Sequence, residues 1–484
     1  MKYILDHTGK PYLRFFEEIS AIPRLSFQEQ KISDYIVQFA KERGLWYYQD
    51  ELWNVVVKKP ASPGYEDHEP VMIQSHTDMV GEKVPGSKHD FEKDPLELYV
   101  EDGWLKAKDT TLGADCGHGV AYMLAILDDN TLKHPPLECF FSVQEEAGIG
   151  GPRFMDYSQL SSKKLINTDQ MFEGATYVSC SNVVGGYFTQ PEEMETASDV
   201  PVYELKVAGL YGGHAAMNIY RDQANAIKVA TRVLYQILKE ANIRIAMLRG
   251  GTIKNNIPEE CYVRFGCALP EAELKKIVTA MEQTIKEEYA ETDPNLYITF
   301  QACGRETIHA ASTISSRSMV ELLCALPTGA FHRSIEIANF VWTSRNIGTV
   351  ELDSDAKLLR VGFMFRSGRL SQIDLLIDEI FLIASRFGAH YEEEYRYYGY
   401  TIDPEKSPLV QGYKALWEKM YGTEFKYLYI HGGTDAGTIM HGMNGMDVLS
   451  IGPNTVDFHR PGERLELDSF ERTYRCLLAL LEEL

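Results

Sequence analysis

Four short apolar runs, at residues 54–58, 71–75, 137–143 and 164–167, punctuate the first third of the chain, each bounded by polar or glycine-rich stretches. Their length and their valine, isoleucine and phenylalanine content predict strands. Helical periodicity begins near Pro11, breaks at Ile22-Pro23-Arg24 and resumes near Ser26, where Ser26 and Glu29 have the spacing of a capping box and Lys41, Arg43 and Gly44 mark the far end. Strands alternating with helices predict an α/β fold with a mostly parallel central sheet.

The polar, acidic passage at residues 190–199 has the composition of a linker or exposed turn. Beyond it the pattern predicts strands at 203–207 and 262–269 and helices at 222–241 and from Pro270. A second α+β unit is expected to begin near Ile335, with strands around 349–352 and 358–365 and a helix over 371–387. From about Pro404 helix, Gly-rich loop and buried strand return, ending in a helix over 469–481. At 484 residues the chain exceeds the size of one ordinary core, so it divides into domains. The expected division is a domain built from residues 1–190 and 399–484, interrupted by an inserted α+β domain over 191–398.

Charge narrows the partners. Lys and Arg total 48 against 70 Asp and Glu, and the net charge of −22 repels phosphate backbones and anionic lipid surfaces, so neither nucleic acid nor membrane is expected as a partner. No segment reaches about 18 uninterrupted apolar residues, and only a three-residue apolar run precedes Asp6 and His7. The eight cysteines are scattered without a C-x-x-C pair, which reads as free thiols. The expected location is the cytoplasm.

Candidate chemistry gathers where strands end. His76, with Asp78 two residues on, follows directly on the strand at 71–75, at the end where open α/β sheets place ligands; an imidazole there can ligate a metal while the aspartate fixes its tautomer. Asp115 lies in the glycine-rich segment 111–119 before a helix over 120–127, and reads either as an anionic ligand or as an acid capping that helix. Glu145 and Glu146 close the strand at 137–143 and open a second glycine-rich loop, so one carboxylate can hold a metal while its neighbour takes a proton from water. Asp169 ends a third strand, and His459 follows the strand at 447–451. Imidazole and carboxylate donors recurring after successive strands suit zinc or manganese.

With these residues in place the chain resembles the M20 family of metallopeptidases, in its aminoacyl-histidine dipeptidase branch, over nearly its whole length. The resemblance rests on Ser75-His-Thr-Asp-Met79, Thr111-Leu-Gly-Ala-Asp115, Gln144-Glu-Glu-Ala-Gly148, Leu165-Ile-Asn-Thr-Asp169, Gly212-Gly-His214, Asn255-Asn-Ile-Pro258, and Ile451-Gly-Pro453 with His459. It implies a zinc-peptidase-like catalytic domain split by a lid domain, and hydrolysis of dipeptides, including Xaa-His, by a water activated between two Zn2+ ions, with Mn2+ or Co2+ as substitutes. Carried over residue by residue, His76 and Asp169 hold one metal, Glu146 and His459 the other, and Asp115 bridges them. Glu145 is then the general base and Asp78 orients His76. His214, Asn255, Arg366 and the loop from His431 to Gly437 become substrate contacts, and a homodimer is implied as well. Three positions depart from the family pattern. Cys116 follows Asp115 where a polar or acidic residue is usual, Ala-Ala-Met-Asn follows His214, and Asn256 stands where Ala is common. The rival functions are a related deacylase or tripeptidase, and a peptide-binding protein without catalysis.

Overall fold

The structure is a computed structural model that describes residues 4–484. The chain forms two compact units, one from residues 1–180 and 397–484 and the other from 181–396.

In the first unit a six-stranded sheet runs in the order Trp46–Gln49, Val55–Lys59, Leu137–Ser142, Val71–His76, Lys164–Asn167, Asp447–Ser450. The last four strands pair in parallel, with His76 beside Ser142, Gln74 beside Asn167, and Ser450 beside Asn167, while the first two add an antiparallel edge. The four parallel strands are almost wholly buried, as continuous apolar runs covered on both faces should be. Helices Pro11–Ser20, Gln30–Glu42, Ala114–Asp128, Pro408–Tyr421 and Leu467–Glu483 supply the aromatic part of this core: Tyr12, Tyr122, Phe470 and Tyr474 form one cluster of ring contacts.

The second unit is built on a nine-stranded sheet whose strands from Tyr297–Ala311 through Met194–Ala208, Cys261–Cys267, Ile243–Gly250, Val341–Asp353 and Leu358–Ser367 to Asn182–Pro191 pair antiparallel, backed by helices Ala226–Glu240, Glu271–Glu288, Thr313–Ala325 and Leu370–Ser385. Its helix at Ala226 begins under a true cap, Asn225 accepting from the backbone N–H of Ile227 and Lys228.

Several expectations are corrected. The helix placed near Ser26 starts at Gln30 and makes no capping box, because both side chains are engaged elsewhere: the Ser26 hydroxyl donates to Asp78 and Glu29 accepts from the N–H of Gln144. The acidic passage at 190–199 is not a linker. It contains the end of strand Asn182–Pro191 and the start of strand Met194–Ala208, which pairs with Tyr297–Ala311. The chain therefore leaves the first unit at 180, ten residues before the expected boundary, and returns at 397. No separate unit begins near Ile335, since Val341–Asp353 and Leu358–Ser367 join the same nine-stranded sheet.

Candidate metal centre

The carboxyl ends of the parallel strands carry the cluster. His76 is the last residue of its strand, Glu145 and Glu146 lie three and four residues past Ser142, Asp169 two past Asn167, and His459 nine past Ser450. Asp115 arrives from a helix start. Helix Ala114–Asp128 begins ahead of the predicted 120–127, but its geometry breaks at Asp115 and Cys116, so the regular helix runs from Gly117.

Asp115 sits between the two imidazoles. Its Oδ1 is 3.1 Å from Nε2 of His76 and its Oδ2 is 3.1 Å from Nε2 of His459. Donor atoms of Asp115, Glu146 and His459 lie within 4.8 Å of one another, as do those of His76, Glu145 and Glu146, and those of His76, Cys116 and Asp169. His76 presents Nε2 to this cluster because Nδ1 is taken, 3.1 Å from the carbonyl of Asp78 and 3.4 Å from its carboxylate. Asp78, wholly buried, also accepts from the backbone N–H of Glu145 (3.1 Å) and Glu146 (3.2 Å) and from Ser26 (2.8 Å). One carboxylate thus orients a histidine and the peptide carrying both glutamates. His459 and Gln144 adopt left-handed backbone angles, φ 62° and 56°, a conformation non-glycine residues seldom take and one that collects at functional sites.

The electrostatics follow from buried carboxylates gathered around two imidazoles. Burial, then the Asp169 carboxylate, pushes Glu145 well above the ordinary carboxyl range; burial, then Asp115, does the same to Asp169 and raises Glu146. Burial by itself would lower both imidazoles, yet Asp115 and Asp78 hold His76 well above its usual value, and Asp115 with Glu146 pushes His459 up to about 11. Burial also opposes ionisation of Asp115, but hydrogen bonds from His459 and His76 keep it far below the carboxylate range. Oε1 of Glu146 lies 2.8 Å from Nε2 of His459, an ion-pair distance.

The second unit gathers three of the residues expected to bind substrate. Nδ2 of Asn255 lies 2.5 Å from Nε2 of His214, and Arg366 donates to Oδ1 of Asn255 at 2.6 Å. His214 and Asn256 are also paired across a two-residue ladder. His431, in the first unit, is buried at the start of a loop that ends at Thr434 rather than Gly437, because helix Asp435–Gly442 begins there; Asp435 turns into the sheet, where Gln74 donates to it at 2.7 Å and Ser142 at 2.5 Å. Cys116 donates to the carbonyl of Thr168 at 3.3 Å, and burial pushes its thiol up to about 12; all eight cysteines are free.

Sequence reasoning missed the buried residues that hold this cluster together. Arg24, read only as part of a turn, is 2% exposed and donates to the carbonyls of Thr77, Asp78 and Gly113. Glu463, 1% exposed, accepts from four successive backbone N–H groups, 112–115. Neither carries a local pattern; the one available signal is that Glu463 lies four residues past a candidate ligand.

The model for peptidase family M20/M25/M40 matches residues 72–483 of the chain. The chain is 32% identical to the cytosol non-specific dipeptidase of Escherichia coli over 490 residues, covering 100% of this chain and 99% of that protein. It is similar in structure to the aminoacylhistidine dipeptidase of Vibrio alginolyticus, with a TM-score of 0.82 and 29% identity over 99% of this chain and 97% of the other. An aminopeptidase from Bacillus cereus shares the fold at 16% identity and a TM-score of 0.56, each chain covered to 98%. A match over most of the chain and a full-length relative agree: this protein belongs to peptidase family M20/M25/M40.

Proposed function

We propose that the chain is a cytosolic metallodipeptidase that hydrolyses the peptide bond of dipeptides, Xaa-His among them, using two divalent cations. The observation that carries this reading is the Asp115 carboxylate shared between the imidazoles of His76 and His459, one oxygen at 3.1 Å from each. In this reading His76 and Asp169 hold one ion, Glu146 and His459 the other, and Asp115 both. Imidazole and carboxylate donors suit zinc, with manganese or cobalt as substitutes. When bound, such ions supply Lewis acidity toward the scissile carbonyl and lower the pKa of water.

The remaining steps belong to side chains. Glu145, whose carboxyl is raised by burial and by Asp169, is suited to accept the proton of the attacking water and return it to the leaving amine. Asp78 keeps His76 in the tautomer that leaves Nε2 for the ion. To the cluster of His214, Asn255 and Arg366 we assign the binding of the substrate's carboxylate or carbonyl, supported by the guanidinium and amide donors assembled there. His431 is assigned a further substrate contact. The similarity to a cytosol dipeptidase supports the location and the substrate class. A homodimer belongs to the same reading, tested by sedimentation.

The experiment is hydrolysis of a panel of dipeptides, tripeptides and N-acyl amino acids before and after chelation, with zinc or manganese restored. Cleavage restricted to dipeptides, abolished by chelation and recovered with metal, is the expected result. Preference for tripeptides or acyl amino acids would replace the substrate assignment, and no cleavage with any metal would overturn the enzymatic reading.

A further inference from the structure

The segment that delivers His459 also grips the residue His459 must meet. It folds back between Thr455–Val456 and Arg464–Glu466, two short strands paired to each other, the second also pairing with Trp104–Ala107. Near its end Glu463 points its carboxylate at the start of the helix carrying Asp115. Oε2 accepts from the N–H of Leu112 at 2.7 Å and Gly113 at 2.9 Å, and Oε1 from Ala114 at 2.9 Å and Asp115 at 3.3 Å. Helical geometry breaks at Asp115 and Cys116, so these N–H groups lie ahead of the regular helix, and the buried carboxylate supplies acceptors to donors that would otherwise be orphaned. Gly113, the N-cap, has no side chain to do this itself.

The opposite edge of the same loop is held by Arg24. Its Nη2 donates to the carbonyl of Gly113 at 2.6 Å, and Nη1 to those of Thr77 at 2.9 Å and Asp78 at 3.3 Å. The fit is tight: a Cβ on Gly113 would come within 2.6 Å of Nη2, and one on Gly117 within 2.8 Å. Arg24 therefore ties the strand end of His76 to the Asp115 loop, and Glu463 ties that loop to the His459 segment. Asp115 is held twice by one segment, through its N–H by Glu463 and through Oδ2 by His459.

We propose that Glu463, opposed by Arg24, is a positioning residue that registers the His459 segment against the Asp115 loop and so fixes the spacing of the donors Asp115, Glu146 and His459. This rests on the reading of the cluster as a metal centre. The test compares metal-free wild type, Glu463→Gln, and Leu477→Ala, a truncation of an apolar side chain in the hydrophobic core. Metal stoichiometry and affinity are measured by chelator competition, and the thermal midpoint is taken with and without zinc. Glu463→Gln is expected to weaken one of the two ions by about tenfold or more, as loss of a supporting partner does, and to shrink the metal-induced rise in midpoint. Leu477→Ala is expected to lower both midpoints equally and leave affinity unchanged. Should Glu463→Gln not fold, Glu463→Asp, which keeps the charge one methylene short, is judged by the same criterion. Wild-type affinity for both ions in the Glu463 variant, or a metal-induced rise no smaller than that of Leu477→Ala, overturns the proposal alone. A wild-type protein that binds no divalent ion overturns the metal-centre reading and this inference with it.

Discussion

Replacing Asp78 with asparagine tests whether one buried carboxylate organises both halves of the cluster. Oδ1 faces two donors, the N–H of Glu145 and Nδ1 of His76, while Oδ2 faces the N–H of Glu146 and the hydroxyl of Ser26. The asparagine amide nitrogen is least costly at the Oδ2 position, where Ser26 can turn and accept from it. The N–H of Glu146 then meets another N–H. A buried donor left without a partner costs about 1–3 kcal/mol, and at about 1.4 kcal/mol per tenfold this is roughly a 5- to 150-fold loss in an equilibrium that depends on the geometry. The charge is lost too. Burial raises Asp78, but the His76 hydrogen bond outweighs it with the help of Ser26 and Glu145, so the native group is a carboxylate at neutral pH.

The damage is therefore expected at Glu146 and His76 together, on both sides of Asp115. Chelator-competition titration of metal-free Asp78→Asn should show affinity about 10- to 100-fold weaker than wild type, within the range for lost supporting partners, and turnover recovering as metal is raised. A circular dichroism spectrum matching wild type would exclude global unfolding. Asp78→Asn binding both ions with wild-type affinity would refute the reasoning.

Two further outcomes follow from single buried acids. Glu145→Gln should keep metal affinity near wild type while turnover at saturating metal falls by about 10²- to 10⁴-fold, the usual contribution of a general base; unchanged turnover would remove Glu145 from that role. In the second unit Glu192 is 6% exposed, and burial pushes its carboxyl up to about 8 from an ordinary value of 4.5. A folded-state pKa raised above the unfolded one leaves stability intact below about pH 4.5 and erodes it as pH climbs toward 8, because the unfolded chain releases the proton first. Glu192→Gln should remove that erosion, so its unfolding free energy at pH 8 should exceed wild type by an amount on the order of a few kcal/mol, with little difference at pH 4.5. Parallel stability curves for the two proteins would contradict it.

What could be read from the sequence were features stated locally. Buried parallel strands announce themselves as uninterrupted apolar runs, and Val71–His76, Leu137–Ser142 and Lys164–Asn167 were found to within about a residue. Once strand ends are known, His76, Glu145, Glu146 and Asp169 stand out, because chemistry-bearing side chains immediately past an apolar run have little packing role of their own. The failures have the opposite cause. Ser26 and Glu29 satisfy a helix-start pattern, but Asp78 and the Gln144 amide compete for the same side chains and win. The loop ahead of the regular helix, residues 112–115, takes its shape from Glu463, about 350 positions away in the chain. The acidic passage after Gln190 reads as linker by composition, yet Met194–Ala208 gains a full ladder against Tyr297–Ala311, and pairing with a distant strand outweighs local preference.

The same division separates the ligands from the residues that place them. A ligand must be a particular residue type at a strand end, so its identity constrains the local sequence. A clamp such as Arg24 or Glu463 is required only to reach backbone atoms of other segments, carbonyls in one case and N–H groups in the other, and any buried position within reach would serve. Backbone acceptors and donors leave no complementary side chain to recognise in the sequence. The spacing of donors around Asp115 nonetheless depends on them, since oxygens 3.1 Å from two imidazoles that are 383 positions apart in the chain cannot be held by the strand ends alone. The side chains proposed to bind metal are thus written in motifs, whereas the tolerances within which they must sit are written in buried polar groups whose partners are backbone.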